Sequence, residues 1–300
     1  MARSVTVPTI AALAVAVFAI STSAPLIAYA AAPALAIACW RNTFAVGVLA
    51  PVTGTVRRRE LVNVGRPALA ASLLAGASLA VHFGTWVPSA KLTGVAASTA
   101  LVATQPVWQG LIALGQGRRL PAPVWVGVGI AVCGAVLTTG ADVGLSTRAF
   151  AGDLLALAGG MSAAVYTAFG ERARTSLSTT TYTTVCYAVC ALLLGALCLV
   201  AGVPLTGYPA TTWLAILAMT AGPQLLGHSM FSYALHRVSA TTVSVLALLE
   251  VPGAALLGWA WLDQKPRLGQ LPGLALLVLG VAVVVIGAAR GPAVSTVEEL

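Results

Sequence analysis

Apolar residues run along this chain in long unbroken stretches rather than in alternation, separated by short clusters of Arg, Pro, Gly and Thr. Ten such stretches, at roughly 8–29, 33–52, 67–89, 93–115, 122–140, 152–170, 179–201, 212–235, 239–262 and 268–289, reach or approach the length of a membrane-crossing helix. Crossing about 30 Å of hydrocarbon takes about 20 apolar helical residues. Backbone groups unpaired in lipid cost several kcal/mol each, so a spanning chain is helical or a closed barrel. Continuous apolar runs, in place of alternation, exclude the barrel. The pattern therefore predicts an all-α membrane protein with ten transmembrane helices.

The first stretch has a rival reading. Arg3, the apolar run from Ile10 to Ile20 and Ala28-Tyr29-Ala30 imitate a secretory signal with a small-residue cleavage site. A retained helix is favoured, because its removal would unbalance the repeat described below.

Loop charge sets the expected orientation. With a cytoplasmic N-terminus the inner side carries 11 basic residues (Arg3, Arg57, Arg58, Arg59, Arg66, Arg118, Arg119, Arg172, Arg174, Arg237 and Arg290), and the outer side carries only 4 (Lys91, Arg148, Lys265 and Arg267). Both termini are expected in the cytoplasm.

Sliding the chain on itself by 146 residues aligns Gly76 with Gly222, His82 with His228, Ser98 with Ser244, Pro106 with Pro252, Leu111 with Leu257, Gly127 with Gly273 and Gly134 with Gly280. Ala, Gly and Leu coincide readily by chance; the His and Pro pairs carry the weight. The unit holds five spans, an odd number, so the second copy enters the membrane in the opposite sense. Lys91 outside against Arg237 inside is what such inversion predicts. Inverted repeats are associated with transporters whose site lies near mid-membrane between the halves. The expected organisation is a first five-helix repeat at 1–145, a second at 146–290 and a cytoplasmic tail at 291–300.

"ASLAVHFGTWVPSAKLTGVAASTALVATQPVWQGLIAL" (77–114) and "GPQLLGHSMFSYALHRVSATTVSVLALLEVPGAALLGW" (222–259) resemble the paired hallmark segments of EamA-like transporters, a branch of the drug/metabolite transporter superfamily. The resemblance covers about residues 8–289. It implies ten helices in two inverted five-helix repeats around a central cavity, and export of small metabolites, often amino acids or drug-like compounds. The chain departs from the family pattern at two points. A typical Glu-Pro followed by Gly-Glu here reads Glu250-Val251-Pro252 and then Asp263-Gln264, so the proline has moved one place and the later Glu is absent.

Composition agrees with a lipid solvent: 59% hydrophobic residues and 8% charged, with a mean hydropathy of +0.94. The net charge of +8 lies in short loop clusters rather than along one face, which argues against a nucleic-acid partner. Five Cys (39, 133, 186, 190 and 198) sit in apolar runs without ligand spacing and read as buried structural thiols. No H-E-x-x-H, Gly-Lys-Ser/Thr phosphate loop or G-x-S-x-G elbow is present, so neither enzyme chemistry nor a cofactor or metal is expected. Transport without an ATP site is gradient-driven or passive.

Pro106 and Pro252 remove a backbone donor and clash with the carbonyls of Val102 and Leu248, predicting kinks in the fourth and ninth helices. Glu250 is the thirteenth of 25 residues from Val238 to Leu262, a central carboxylate that either orients a substrate amine or couples transport to protons. Arg41, always ionised, needs an acceptor and serves as a structural tie or a substrate contact. His82 and His228 are candidate proton relays or interhelical hydrogen-bonding groups. Trp86 shares a helix face with His82. Gln105, Trp108, Tyr166, Gln224, Ser98 and Ser244 extend the candidate lining, and Asp153 reads as a helix cap. The sequence thus predicts a plasma-membrane secondary carrier exporting an amino-acid-like or amphiphilic solute by alternating access, with the solute, the lipid bilayer and protons as partners. An accessory membrane protein without transport activity is the alternative. A membrane enzyme using Glu250 and a His as acid and base is a third reading.

Overall fold

The computed structural model describes residues 6–92, 98, 101–139, 146–262 and 268–290, and all secondary structure among them is helical. The helices are α1 (Val7–Ser21), α2 (Ser23–Tyr29), α3 (Ala34–Val56), α4 (Arg58–Val62), α5 (Arg66–Leu92), α6 (Gln105–Gly115) and α7 (Ala122–Thr139) in the first half. In the second half come α8 (Thr147–Ala173), α9 (Thr179–Val200), α10 (Ala210–Met219), a π-helical stretch (Thr220–His228), α11 (Ser229–Ala234), α12 (Ala240–Ala247), α13 (Glu250–Leu262), a short 3₁₀ turn (Leu268–Gln270) and α14 (Leu271–Arg290). Asp263, Gln264, Lys265, Arg267 and Arg3 lie outside the described residues.

Among the described residues, six helical stretches are long and apolar enough to cross a membrane: Val7–Ile27, Ala34–Val56, Arg66–Ser89, Thr147–Ala173, Thr179–Val200 and Ala240–Trp261. Two shorter apolar helices are Ala122–Leu137 and Leu271–Gly287. Alanines fill many of the buried positions, beside buried Tyr182, Tyr187 and Phe83. Ala16, Ala36, Ala45, Ala75, Ala131 and Ala164 are buried, while Phe18, Leu192, Leu199 and Leu214 point outward. Lipid is as apolar as Leu, so association rests on small residues that let backbones approach.

The packing partners are definite. α5 lies along α8 and against α9, α9 packs on α3, and α1 packs on the π stretch and α11. α7 pairs with α14. At that last crossing, a Cβ added to Gly127 would stand 2.9 Å from the Gly280 carbonyl oxygen, and one added to Gly280 would stand 2.7 Å from that of Gly127. One added to Gly134 would meet the Gly273 carbonyl at 2.7 Å. Backbone fills the space a side chain would need, so glycine is required there.

The broken helices are built from local sequence. α-Helical bonding stops at Ala103-Thr104 before Pro106 and at Leu248-Leu249 before Pro252. Tighter bonds cross both gaps: Thr104 N–H to Leu101 O (3.2 Å), and Leu249 N–H to Leu246 O (3.1 Å). Each proline sits in the first turn of the helix that follows, where its missing N–H has no partner to lose. The π stretch contains Pro223, which has no backbone N–H to give to the helix. Its counterpart at the 146-residue offset is Ala77, inside the regular helix α5.

Two expectations are corrected. Cys133 is exposed on α7 while Cys39, Cys186, Cys190 and Cys198 are buried, because an apolar run has a lipid face as well as a core face. Asp153 lies inside α8; the cap is Ser146, whose hydroxyl accepts from Ala149 N–H at 3.1 Å. Ser178 and Ser239 cap α9 and α12 in the same way.

Candidate functional site

Where α1, α3, α5, α8, the π stretch and α13 face one another, they enclose a cavity with about 760 Å³ of empty space including its mouth. Both broken helices reach it. Gln105 lines it from the start of α6, and Glu250 from the start of α13. The helix breaks bring Gln105 and Glu250 to a lining that Arg41 and His82 reach from regular helices.

Arg41 enters from α3 and is 2% exposed. Its Nε donates to Gln224 Oε1 at 2.8 Å, and Gln224 Nε2 donates to Asn42 Oδ1 at 3.0 Å. The Phe83 ring lies 4.6 Å from the guanidinium carbon, a cation–π arrangement. Arg41 Nη1 makes only a long contact, 3.5 Å, to Ser23 Oγ, and Nη2 is buried without a hydrogen-bond partner. Glu250 is half-buried, and among the described residues the only ion pair within 4.0 Å is Arg118 with Glu171 on the surface. The two charges of the cavity thus face the same space without closing on each other.

The histidines differ in setting. His82 Nδ1 lies 2.9 Å from the Gly159 carbonyl oxygen, so Nδ1 carries the proton and donates, leaving Nε2 as the acceptor in the neutral ring. Its ring stacks on Trp86, with centroids 5.5 Å apart and planes at 17°. His228, at the end of the π stretch, stands edge-on to Phe83 (5.6 Å) and Tyr166 (6.0 Å). The Tyr166 hydroxyl lies 3.4 Å from Ser232 Oγ, and Gln105 Nε2 donates to Thr167 Oγ1 at 3.2 Å.

Of the residues singled out in the sequence, Glu250, Arg41, His82, His228, Trp86, Gln105 and Tyr166 come together on this cavity. Gln224 stands behind Arg41. Ser98, Ser244 and Trp108 lie elsewhere: Ser98 bonds Ser89, Ser244 Oγ donates to its own helix at Thr241 O (2.8 Å), and Trp108 Nε1 donates to Thr104 Oγ1 (3.1 Å). Pro106 is buried behind the wall and Pro252 is half-buried in the first turn of α13. Ser23, Asn42, Thr167 and Ser232 belong to the site or its support and were not legible. Single Ser, Thr and Asn residues in apolar helices are common packing groups, and only the fold shows which ones converge.

Residues 150–286 match the model of the EamA-like transporter family, so the resemblance seen in the sequence holds over the second half of the chain. A solved structure described only as "Crystal structure of protein" shares the fold with a TM-score of 0.78 at 22% identity, covering 94% of this chain and 98% of that one. At that identity the likeness concerns the fold alone. No curated protein matches the chain. The apolar helices and the match over residues 150–286 support a multi-pass membrane protein whose second half is similar to EamA-like transporters.

Proposed function

We propose that this chain, EamA-like through residues 150–286, is a secondary carrier that exports a small amino-acid-like or amphiphilic solute across the plasma membrane by alternating access. The observation that carries the reading is the cavity itself. Side chains from both halves of the chain converge there, and Arg41 and Glu250 face it from within a bundle otherwise built of apolar helices. Ionisable groups at such depth are costly to insert, by about 2.5–3.5 kcal/mol each, and are kept where they meet a pathway.

Ten spans are part of this proposal: Ala122–Leu137, Leu271–Gly287, the helical run 210–234 and the apolar run read from the sequence at 93–115 would join the six long helices. Two observations support inverted repeats. α8 packs on α5, and at the 146-residue offset its counterpart α1 packs on the π stretch and α11. At the α7–α14 crossing, Gly127 meets Gly280 and Gly134 meets Gly273; shifting by 146 residues turns the first contact into the second. A two-fold relation between the halves generates that exchange. The loop bias of 11 basic residues against 4 supports cytoplasmic termini.

In this reading Arg41 and Glu250 contact the solute, with Trp86, Tyr166 and Gln105 as walls. His82 and His228 are placed to pass protons, and Gln224 holds Arg41. The absence of a phosphate-cradling loop in the sequence supports gradient-driven transport over ATP hydrolysis. Counterflow into proteoliposomes, screened over amino acids, organic cations and amphiphiles, tests it. Accumulation of one class above protein-free vesicles is expected, and folded protein that moves none of them would sink the proposal.

A further inference from the structure

The longest run of arginines in the chain lies between the end of α3 and the start of α5. Arg57 caps the short helix α4, Arg58 and Arg59 begin it, Arg66 starts α5, and all four are exposed. The one acid of this segment is turned away from them. Glu60 faces the start of α9, where its carboxylate oxygens accept from Ser178 N–H, from the Ser178 hydroxyl (2.7 Å) and from the Thr181 hydroxyl (3.0 Å). Among the described residues no arginine of the run closes on Glu60 within 4.0 Å. The bonds to α9 pin α4 to the bundle, so the arginines are presented from a fixed base with their charge unspent.

Apolar side chains set the depth of this run. On α3, Val48, Val52 and Val56 recur every four residues and all are exposed, a lipid-facing stripe that stops at Arg57. On α5, the exposed Leu69 and Leu73 resume that spacing within a turn of Arg66. Between the two stripes α4 exposes Leu61 (37%) and Val62 (74%). Exposed apolar residues interleaved with arginines fit the boundary of a bilayer, where the stems lie against acyl chains and the charged heads reach the phosphates. Basic residues that served only to orient the chain would need neither the diverted acid nor the exposed Leu61 and Val62.

We infer that Arg57, Arg58, Arg59 and Arg66, with Leu61 and Val62, form a docking site for the headgroup of an anionic phospholipid. Guanidinium forks match a phosphate bidentately, and Val56, Leu61 and Val62 offer the apolar surface along which the acyl chain lies. Because α4 carries both the arginines and Glu60, a bound lipid also steadies the contact of α4 with α9. The site lies on the outer surface of the bundle and stands independently of any solute in the cavity.

The purified full chain in neutral detergent is titrated with phosphatidylglycerol, with phosphatidylcholine and with inorganic phosphate. Retained lipid is counted by native mass spectrometry, and stability is followed as the melting midpoint. Phosphatidylglycerol is expected to bind about tenfold more tightly than phosphatidylcholine and to raise the midpoint. That preference should shrink as salt rises from about 0.1 to about 0.5 M. Combining Arg57→Gln, Arg58→Gln and Arg59→Gln should abolish it. Combining Arg119→Gln, Arg172→Gln and Arg237→Gln, which removes the same charge from other exposed positions, should leave it intact. Equal binding of the two lipids by the wild type overturns the inference. So does equal loss in the two triple variants, which would show that charge acts diffusely, or stabilisation by inorganic phosphate as large as that by the lipid, which would show a free-anion site. Should the first triple variant fail to fold, Arg58→Gln alone takes its place: phosphatidylglycerol should bind about fivefold more weakly, and unchanged binding overturns the inference.

Discussion

Replacing Gly280 by Ala adds one methyl group at the crossing of α7 and α14. The new Cβ would stand 2.7 Å from Ala131 Cα and 2.7 Å from the Gly127 carbonyl oxygen, about 0.7 Å short of the 3.4 Å at which ordinary contact begins. Both obstacles are backbone, so no rotamer change relieves them and the helices must separate along the contact. Overpacking of this kind costs about 1–3 kcal/mol. At roughly 2–4 °C per kcal/mol, that is a fall of about 2–12 °C in the melting midpoint. Gly129 on the same α7 is the control: a Cβ there has nothing within 4 Å, so Gly129→Ala should be neutral or raise the midpoint through the ~0.5–1 kcal/mol helix preference of Ala. Gly127→Ala pushes on the same contact from the other side, since its Cβ would stand 2.9 Å from the Gly280 carbonyl. The double variant should therefore cost less than the sum, with a coupling of about 0.5–3 kcal/mol. The assay is the unfolding midpoint of protein in nanodiscs, followed by tryptophan fluorescence. A neutral Gly280→Ala, a Gly129→Ala equally damaging, or strict additivity of the pair would refute the packing argument.

Three further outcomes are expected. Glu60 on α4 caps the start of α9: burial alone would raise its pKa, but hydrogen bonds from Ser178 N–H, the Ser178 hydroxyl (2.7 Å) and the Thr181 hydroxyl (3.0 Å), together with the Arg57 charge, bring the net shift down. A carboxylate depressed on folding stabilises above its unfolded value of about 4.3 and loses that contribution as pH falls through the folded value, so wild-type midpoints should drop below about pH 4.3. Glu60→Gln should lower the neutral-pH midpoint by about 1 kcal/mol equivalent, after discounting for solvent screening, and flatten that part of the profile; an unaltered profile in the variant would exclude the cap. Glu250→Gln should leave the melting midpoint within about 0.5 kcal/mol of wild type and cut counterflow at least tenfold, whereas full flux in the variant would remove Glu250 from the solute path. Trp40→Phe keeps the ring among Phe44 and Trp213 but removes the 2.7 Å bond from Nε1 to Leu205 O, so it should cost about 1 kcal/mol and speed hydrogen exchange in residues 201–209; unchanged exchange there would show the bond to be idle.

The apolar runs by themselves determined that this chain is helical and lies in lipid, because no other backbone arrangement with those runs satisfies its hydrogen bonds there. They also carried the two prolines and their matching breaks, since the loss of a donor is a local property. The resemblance over residues 222–259 was legible too, and the family match at 150–286 contains it. Helix starts were less visible: Asp153 suggested a cap, yet Ser146 begins α8 two turns earlier, since capping depends on which hydroxyl meets a free N–H. The π stretch was not foreseen, although Pro223 in one half against Ala77 in the other was its signal.

Within the site the division is sharper. Glu250, Arg41 and the two histidines stood out because polar groups are rare in such helices, which is a fact of composition. That Arg41 is clasped by Gln224, a residue 183 positions away, while two of its nitrogens remain nearly unsatisfied, depends on how α3 meets the π stretch. The same holds for Ser98 and Ser244, equivalent in sequence yet each spent on a hydrogen bond within the bundle. Periodicity records which solvent a face meets; convergence of side chains from many helices is set by their crossings, and only the tertiary structure decides it.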